Sequence, residues 1–345
     1  MASFIPTVSA TTLGVLPEFI LENFGQKGLD HAYEISGIPE GISTLQNAYI
    51  PEASVAMFLE SAARLSGEHQ LGLIFAPHTS VRSYGTLADY CFEAETLGKT
   101  MARYMCVLPY HASHHAMAVQ KQGDKVVVRY KHATVGAPNY EQIAYGMIGM
   151  IINFLREFTG PNWLPDSICL EISKPRVMSL LELLYPCPFT FNQPEFCIIF
   201  DREILNLRRT CKKLRKPVTL SDVRRSRSSQ APSSLLDVTS NIIKSQIKTT
   251  KTNLGRTAQL FGCSTRTLQR ELGYLGLSFR TLTTCIRMNL ANELMLETNM
   301  SLTDIANELG YSSHAHFTRA YHAENQTTPS EFRHAERFAN TNSTM

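Results

Sequence analysis

The stretch SLTDIANELGYSSHAHFTRAY, residues 301–321, decides the fold. Ser301 precedes a short run with apolar residues at helical spacing, Gly310 interrupts it, and Ser313 opens a second run. A serine before such a run is a helix-start signal, because its hydroxyl accepts an orphan amide proton of the first turn. The glycine permits the left-handed backbone of a tight turn. Two short helices joined this way make a helix-turn-helix. The second run carries His314 and His316, which invites a metal reading. Residues two apart on a helix diverge by roughly 200°, whereas a helical metal pair needs i, i+4 spacing. These histidines are therefore read as one facing nucleic acid and one at its phosphate edge.

The same pattern occurs upstream. LGRTAQLFGCSTRTLQREL (254–272) overlays 302–321 with Ala258 on Ala306, Gly262 on Gly310, Leu268 on Phe317, Arg270 on Arg319 and Leu272 on Tyr321. The second copy has one more residue in its turn. Helical segments are expected at 235–248, 253–261, 264–274, 278–297, 301–309, 313–324 and 328–338, with starts at Ser264, Ser278, Ser301 and Ser313. Pro329 fits a first helical position, where its missing donor costs nothing. Leu268/Leu272 and Phe317/Tyr321 mark the buried faces of the two second helices. The opposite faces carry Thr265, Arg266, Gln269 and Arg270, then His314, Ala315, Thr318 and Arg319. Arginine suits guanine, glutamine suits adenine, and small or methyl-bearing groups suit thymine in a major groove. The long segment 278–297 would set the two units to enter successive grooves, about 34–36 Å apart. Because Ala315 offers only a methyl contact, the first unit is expected to carry more of the specificity.

Over TRTLQRELGYLGLSFRTLTTCIRMNLANELM and LTDIANELGYSSHAHFTRAYHAENQTTPSEFR the chain resembles the AraC/XylS family of bacterial transcription regulators. YGTLADYCFEAETLGKTM and LLYPCPFTFNQPEFCIIFDREIL in the front half resemble the arabinose-binding-type sensor domain of the ornithine-utilisation branch. The resemblance implies Arg270 and Arg319 as base or phosphate contacts, activation through RNA polymerase, dimerisation through the front domain, and a small-molecule effector. One departure concerns the final motif: Gln326 stands where the family usually has glycine, which alters the loop before the last helix.

The front half, 1–210, reads as α+β. Helices are expected near 13–24, 51–65, 86–107, 140–158 and 178–185, with a hairpin over 115–132 about Gly123-Asp124 and strands at 167–173, 189–192 and 196–200. Residues 211–234 read as a basic linker, 235–338 as the all-helical DNA-binding domain, and 339–345 as a disordered tail. Charge supports this division. Up to Leu207 there are 13 basic against 20 acidic residues; from Arg208 to Arg227 there are nine against one. A basic stretch beside a helix-turn-helix domain points to phosphates beneath it.

Other classes are weighed against this. The 345 residues include no apolar run near the ~20 needed to span a bilayer, and the N-terminus lacks the basic region of a secretory signal. Eight scattered cysteines without a CxxC pair suit reduced thiols in a bacterial cytoplasm, where a nucleoid-associated protein would reside. The segment PYHASHHAM (109–117) could hold zinc through His111, His115 and Cys106, which would make the chain a zinc-dependent enzyme fused to a DNA-binding module. No second group with metal spacing accompanies it, so neither metal nor catalytic residue is assigned and the chain is read as no enzyme. Cys187, in LYPCPF, is read as structural. The helical half could alternatively bind a protein. Phe75, Tyr84, Tyr90, Phe92, Met101, Tyr104, Met105, Tyr145 and Met147 could line an apolar effector pocket or form plain core. An amino acid or its metabolite, a fatty or aromatic ligand, and a ligand-independent regulator all remain open.

Overall fold

The computed structural model describes residues 5–68, 70–175, 178–209, 217–227, 229–249 and 252–342. In the front half two short strands missed in the sequence, β1 (Thr7–Ser9) and β2 (Tyr49–Pro51), pair antiparallel and flank helix α1 (Leu16–Ser36). Three residues each is too short for alternation to register, so no period revealed them. Helix α1 outruns its expected range by a kink at Gly25, where φ is 71°. Helices α2 (Glu52–Ser66), α3 (Leu71–Phe75), α4 (Thr86–Phe92) and α5 (Leu97–Val107) follow; the expected helix over 86–107 is thus two, split before Thr96, which caps α5.

The hairpin forms as read, β3 (Ala116–Gln122) pairing with β4 (Lys125–Lys131) across Gly123 at φ 63°. After helix α6 (Tyr140–Thr159) come β5 (Ser167–Cys169), α7 (Met178–Leu184), β6 (Phe189–Thr190) and β7 (Phe196–Asp201). The five strands order as β3-β4-β7-β5-β6, antiparallel except for β5 with β6. One sheet face and α4–α6 enclose a core with Val126, Val128, Ile148, Ile152, Phe196 and Ile198. Alternation in β4 and β7 is blurred, because Val127 and Cys197 are buried as well as the core-facing Val126, Val128, Phe196 and Ile198.

The back half is helical, as expected: α9 (Leu235–Thr249), α10 (Leu254–Leu260), α11 (Thr265–Tyr274), α12 (Phe279–Glu297), α13 (Leu302–Glu308), α14 (His314–Asn325) and α15 (Pro329–Asn342), after a short α8 (Leu220–Arg227). Helix α15 continues four residues into the stretch read as a disordered tail; 343–345 lie outside the described residues. The Thr328 hydroxyl accepts the Glu331 amide at 3.2 Å while the Glu331 carboxylate accepts the Thr328 amide at 2.8 Å, a reciprocal cap that starts the helix. Gln326 adopts φ 57° at the end of α14, the left-handed region that the family's usual glycine enters without cost.

The stretch read as a linker is partly built in, and 211–216 lie outside the described residues. Val223 of α8 is buried in the core of the sheet domain. Arg227 is 1% exposed; it donates to Ser9 Oγ, to the Gln46 carbonyl at 2.6 Å, to Thr11 Oγ1 at 3.3 Å and to the Tyr84 carbonyl at 3.1 Å. Arg227 therefore cannot reach a phosphate, a correction to the reading of this basic run as uniformly DNA-facing. Arg224 and Arg225 stay exposed. Helix α9 joins the two halves: Val238 and Ile242 pack with α1 and α2, whereas Ile243 and Ile247 pack into the helical domain. Helix α10 docks on the front domain through Ser54, whose hydroxyl donates to the Leu260 carbonyl at 2.9 Å, and Gln259, whose amide donates to the carbonyls of Glu34 and of Ile35, the latter at 2.9 Å.

Candidate nucleic-acid interface and sensor cavity

The two helix-turn-helix units repeat at the level of individual bonds. In the first, the Gly262 amide donates to Gln259 at 2.8 Å and the Cys263 amide to Ala258 at 3.0 Å; in the second, Gly310 donates to Asn307 and Tyr311 to Ala306, both at 2.9 Å. Gly262 and Gly310 have φ of 61° and 75°. The cap on α11 is Ser264, accepting the Thr267 amide at 3.1 Å, and on α14 it is Ser313, accepting the His316 amide at 3.2 Å. Each cap satisfies one of the orphan amides of its helix's first turn.

Leu268, Leu272, Phe317 and Tyr321 are all fully buried, and Tyr321 donates from its hydroxyl to Asn292 Oδ1 of α12 at 2.5 Å. This fixes the opposite faces outward. Thr265, Arg266, Gln269 and Arg270 are exposed, as are His314, Ala315, His316 and Arg319; Thr318 is half-buried. His316 Nδ1 shares a proton with Ser312 Oγ at 3.1 Å, and His314 Nε2 with Thr318 Oγ1 at 3.5 Å. Each histidine has its own hydroxyl partner, and the pair is not brought together. Arg270 makes an exposed ion pair with Glu271 at 3.2 Å, of the kind that yields readily to a phosphate or base.

The second site is a cavity of about 160 Å³ inside the front domain, between α2, α6 and the β3–β4 hairpin. Five of the nine aromatic and methionine residues proposed for such a pocket line it: Phe75, Tyr84, Met101, Tyr104 and Met147. Tyr90, Phe92, Met105 and Tyr145 do not. Its carboxylate and imidazole groups gather at one place. The His115 and Glu52 side chains, each 4% exposed, are hydrogen-bonded through Nε2 and Oε1. His115 Nδ1 lies 2.7 Å from the Tyr130 hydroxyl, and His132 Nδ1 lies 3.5 Å from Glu52 Oε2. His111 is buried beside them, stacked on Tyr84 with ring centroids 3.9 Å apart.

Electrostatics sort these groups. Burial pushes His132 down to about 4, against the pull of Glu52, and it pushes His111 well below the ordinary imidazole value. Burial, the largest single influence, would raise the Glu52 carboxyl. The hydrogen bond from His115, the charges of His132 and His115 and a hydrogen bond from Thr134 together outweigh it and hold the group below the usual carboxylate range. The cluster considered for zinc in the sequence, His111, His115 and Cys106, does not assemble: Cys106 is exposed while His111 is buried against Tyr84. Among the described residues the group whose ligand atoms come together is Glu52, His115 and His132. Glu52 and His132 were missed, although the hairpin turn at 123–124 already places residue 132 opposite 115 in register.

The sequence matches the family model for the arabinose-binding domain of AraC transcription regulators, N-terminal, over residues 29–208, more than half of the chain. It also matches that of a helix-turn-helix domain over 257–335. The solved structures it is similar to include the transcriptional regulator CdpR from Pseudomonas aeruginosa, at 15% identity and TM-score 0.40, with 90% of this chain and 98% of that one covered. An AraC-type transcriptional regulator from Chromobacterium violaceum is 28% identical over 29% of this chain and 88% of its own, with TM-score 0.27. The C-terminal domain of the response regulator AraT from Geobacillus stearothermophilus is 27% identical over 29% and 84%, with TM-score 0.27. No curated protein matches the chain.

Proposed function

The chain belongs to the AraC family of DNA-binding transcription regulators, and from that premise we propose that it reads a bipartite promoter site with α11 and α14 under control of the front-domain cavity. The observation that carries this reading is the outward face shared by two helix-turn-helix units with matching turn hydrogen bonds and serine caps. Arg266, Gln269 and Arg270 are presented by the first unit, with Thr265 at its entry; His314, Ala315, His316, Thr318 and Arg319 form the corresponding face of the second. Arg266 and Gln269 are the base readers, for guanine and adenine edges, while one of the two histidines faces the groove and the other the phosphate margin. Family and fold are those of a transcription regulator rather than an enzyme, and among the described residues no helix is long and apolar enough to cross a membrane.

Control by an effector is supported by the route between cavity and DNA-binding domain. Glu52 in the cavity begins α2, and Ser54 of the same helix turn holds the end of α10. A ligand that binds one setting of α2 better than the other shifts the DNA-competent population by that difference in affinity. In this proposal the protein is cytoplasmic, dimerises through the front domain, and activates by contact with RNA polymerase on double-stranded promoter DNA.

Replacing Arg266 with alanine is expected to weaken binding to the preferred site by about 1–3 kcal/mol and to relax preference at a single base pair. Affinities of wild type and Arg266→Ala for the set of single-base variants of the site check this. Uniform weakening across all variants would remove Arg266 from the base-reading set and leave it a phosphate contact.

A further inference from the structure

We propose that the effector taken by this cavity is a small amphiphile whose head is a hydrogen-bond donor, an amine or a hydroxyl, seated on Glu52 at the mouth of the His115–His132 pair, and not an anion. The proposal rests on the reading of the cavity as the effector site and specifies its ligand.

Three features of the walls select this class. First, the lining is overwhelmingly apolar, with Leu16, Val55, Met147, Ile151 and Phe154 among its residues, so the ligand body is apolar. About 160 Å³ of space is the size of cavity that takes a small aromatic ring or a short alkyl body. Second, no lysine or arginine is among the described residues lining the space. A carboxylate head, whether of a fatty acid or an amino acid, would enter beside the Glu52 carboxylate without a guanidinium or ammonium to receive it, and an unpaired buried charge is costly. This decides between the alternatives left open by the sequence, against both the free amino acid and the fatty acid.

Third, the polar end holds a buried acceptor, Glu52 Oε2, for which the Thr134 hydroxyl, shared with His132 Nδ1, is the donor nearby. Glu52 Oε2 is buried and forms no hydrogen bond among the described residues. The nearest ring nitrogen, His132 Nδ1, lies 3.5 Å away and already takes the Thr134 amide proton at 3.3 Å, with the Thr134 hydroxyl at 3.0 Å. Glu52 Oε2 and His132 Nδ1 are thus two acceptors side by side in the wall of the cavity. A ligand donor that reaches Oε2 as the His132 side chain shifts satisfies it, and a buried acceptor left unsatisfied carries a free-energy cost that such a ligand removes. Tyr130, anchored on His115 Nδ1, closes the far side of the cluster and keeps His115 oriented toward Glu52.

The test uses three probes with one apolar body and different heads: 1-octylamine, 1-octanol and octanoate, titrated by calorimetry into the purified full-length chain. Binding of the amine or the alcohol, with octanoate weaker by roughly tenfold or more, supports the proposal. Binding of octanoate as tightly as the other two overturns it, while leaving the cavity as an effector site. Binding of none of the three removes the effector-site reading itself and the proposal with it. Glu52→Gln is expected to weaken the amine by roughly tenfold and spare octanoate; unchanged amine affinity counts against the proposal. The wild-type series stands without that variant should it fail to fold. Retention of one zinc ion per chain after purification, lost in His132→Gln, would also overturn the proposal by assigning Glu52, His115 and His132 to a metal.

Discussion

Phe317→Ala destabilises the second helix-turn-helix by about 3–5 kcal/mol, the usual cost of emptying a buried aromatic site, and reduces DNA protection to the first half-site. Phe317 is fully buried. Its ring lies 5.5 Å from that of Tyr311, which ends the turn, and 5.8 Å from that of Tyr321, one helical turn on. Tyr321 in turn meets Phe332 of α15 at 6.0 Å and is hydrogen-bonded to α12. Phe317 thus connects α13, α14 and α15, and its removal loosens the element that holds His314 and Arg319 outward. Leu268 and Leu272 belong to the first unit's own second helix, α11, whose cap and turn do not involve Phe317. Footprinting of the variant on the preferred site checks this: protection of one half only is expected. Full protection of both halves, at wild-type affinity, would show that α14 is positioned by something other than this aromatic cluster.

Acid should unfold the front domain ahead of what its exposed carboxylates alone would cause. His132 titrates near 4 in the folded chain because burial opposes its charge, against about 6.5 when unfolded. The folded state therefore binds fewer protons than the unfolded state between these values. Stability is retained in full above pH 6.5 and is lost as pH falls toward 4, by about 3 kcal/mol for this one group. His111, also held down by burial, acts in the same window and direction. Glu52, held below its usual range, adds a loss of the same sign as pH falls through its own lowered value. Trp163 is the sole tryptophan and packs edge-on against Phe200 of the sheet, so its fluorescence reports on this domain. Urea unfolding followed by that signal should show stability falling from pH 7 to pH 4.5 in the wild type, with a shallower fall in His132→Gln. Equal slopes in both would mean that His132 is not the group responsible.

The helical half was legible because its signals are local. Serine caps, left-handed glycines and i, i+4 apolar pairs each act within a few residues, and Ser264, Ser313, Gly262 and Gly310 do in the structure what their positions imply. The front half was legible only in part. The hairpin announces itself through one turn, but β1 and β2 join residues some forty positions apart and carry no period. The same limit hid the polar end of the cavity. His115 attracted notice for its histidine neighbours in sequence, whereas its partners are Glu52, from another element, and His132, from the opposite strand. The linker misled for a different reason. A run of charge, serine and proline has the composition of a solvated tether, and nothing local distinguishes Arg227, which is buried under four hydrogen bonds, from Arg225, which is exposed.

The most direct test of the central claim is selection from random duplex DNA by the purified full-length protein at two salt concentrations, followed by sequencing. Two conserved half-sites with centres about one helical turn apart, 34–36 Å, retained at the higher salt, are the predicted result. Enrichment of no sequence, with binding that simply collapses as salt rises, in the presence and absence of an octyl-chain amine, would contradict the reading of α11 and α14 as a paired sequence-specific clamp.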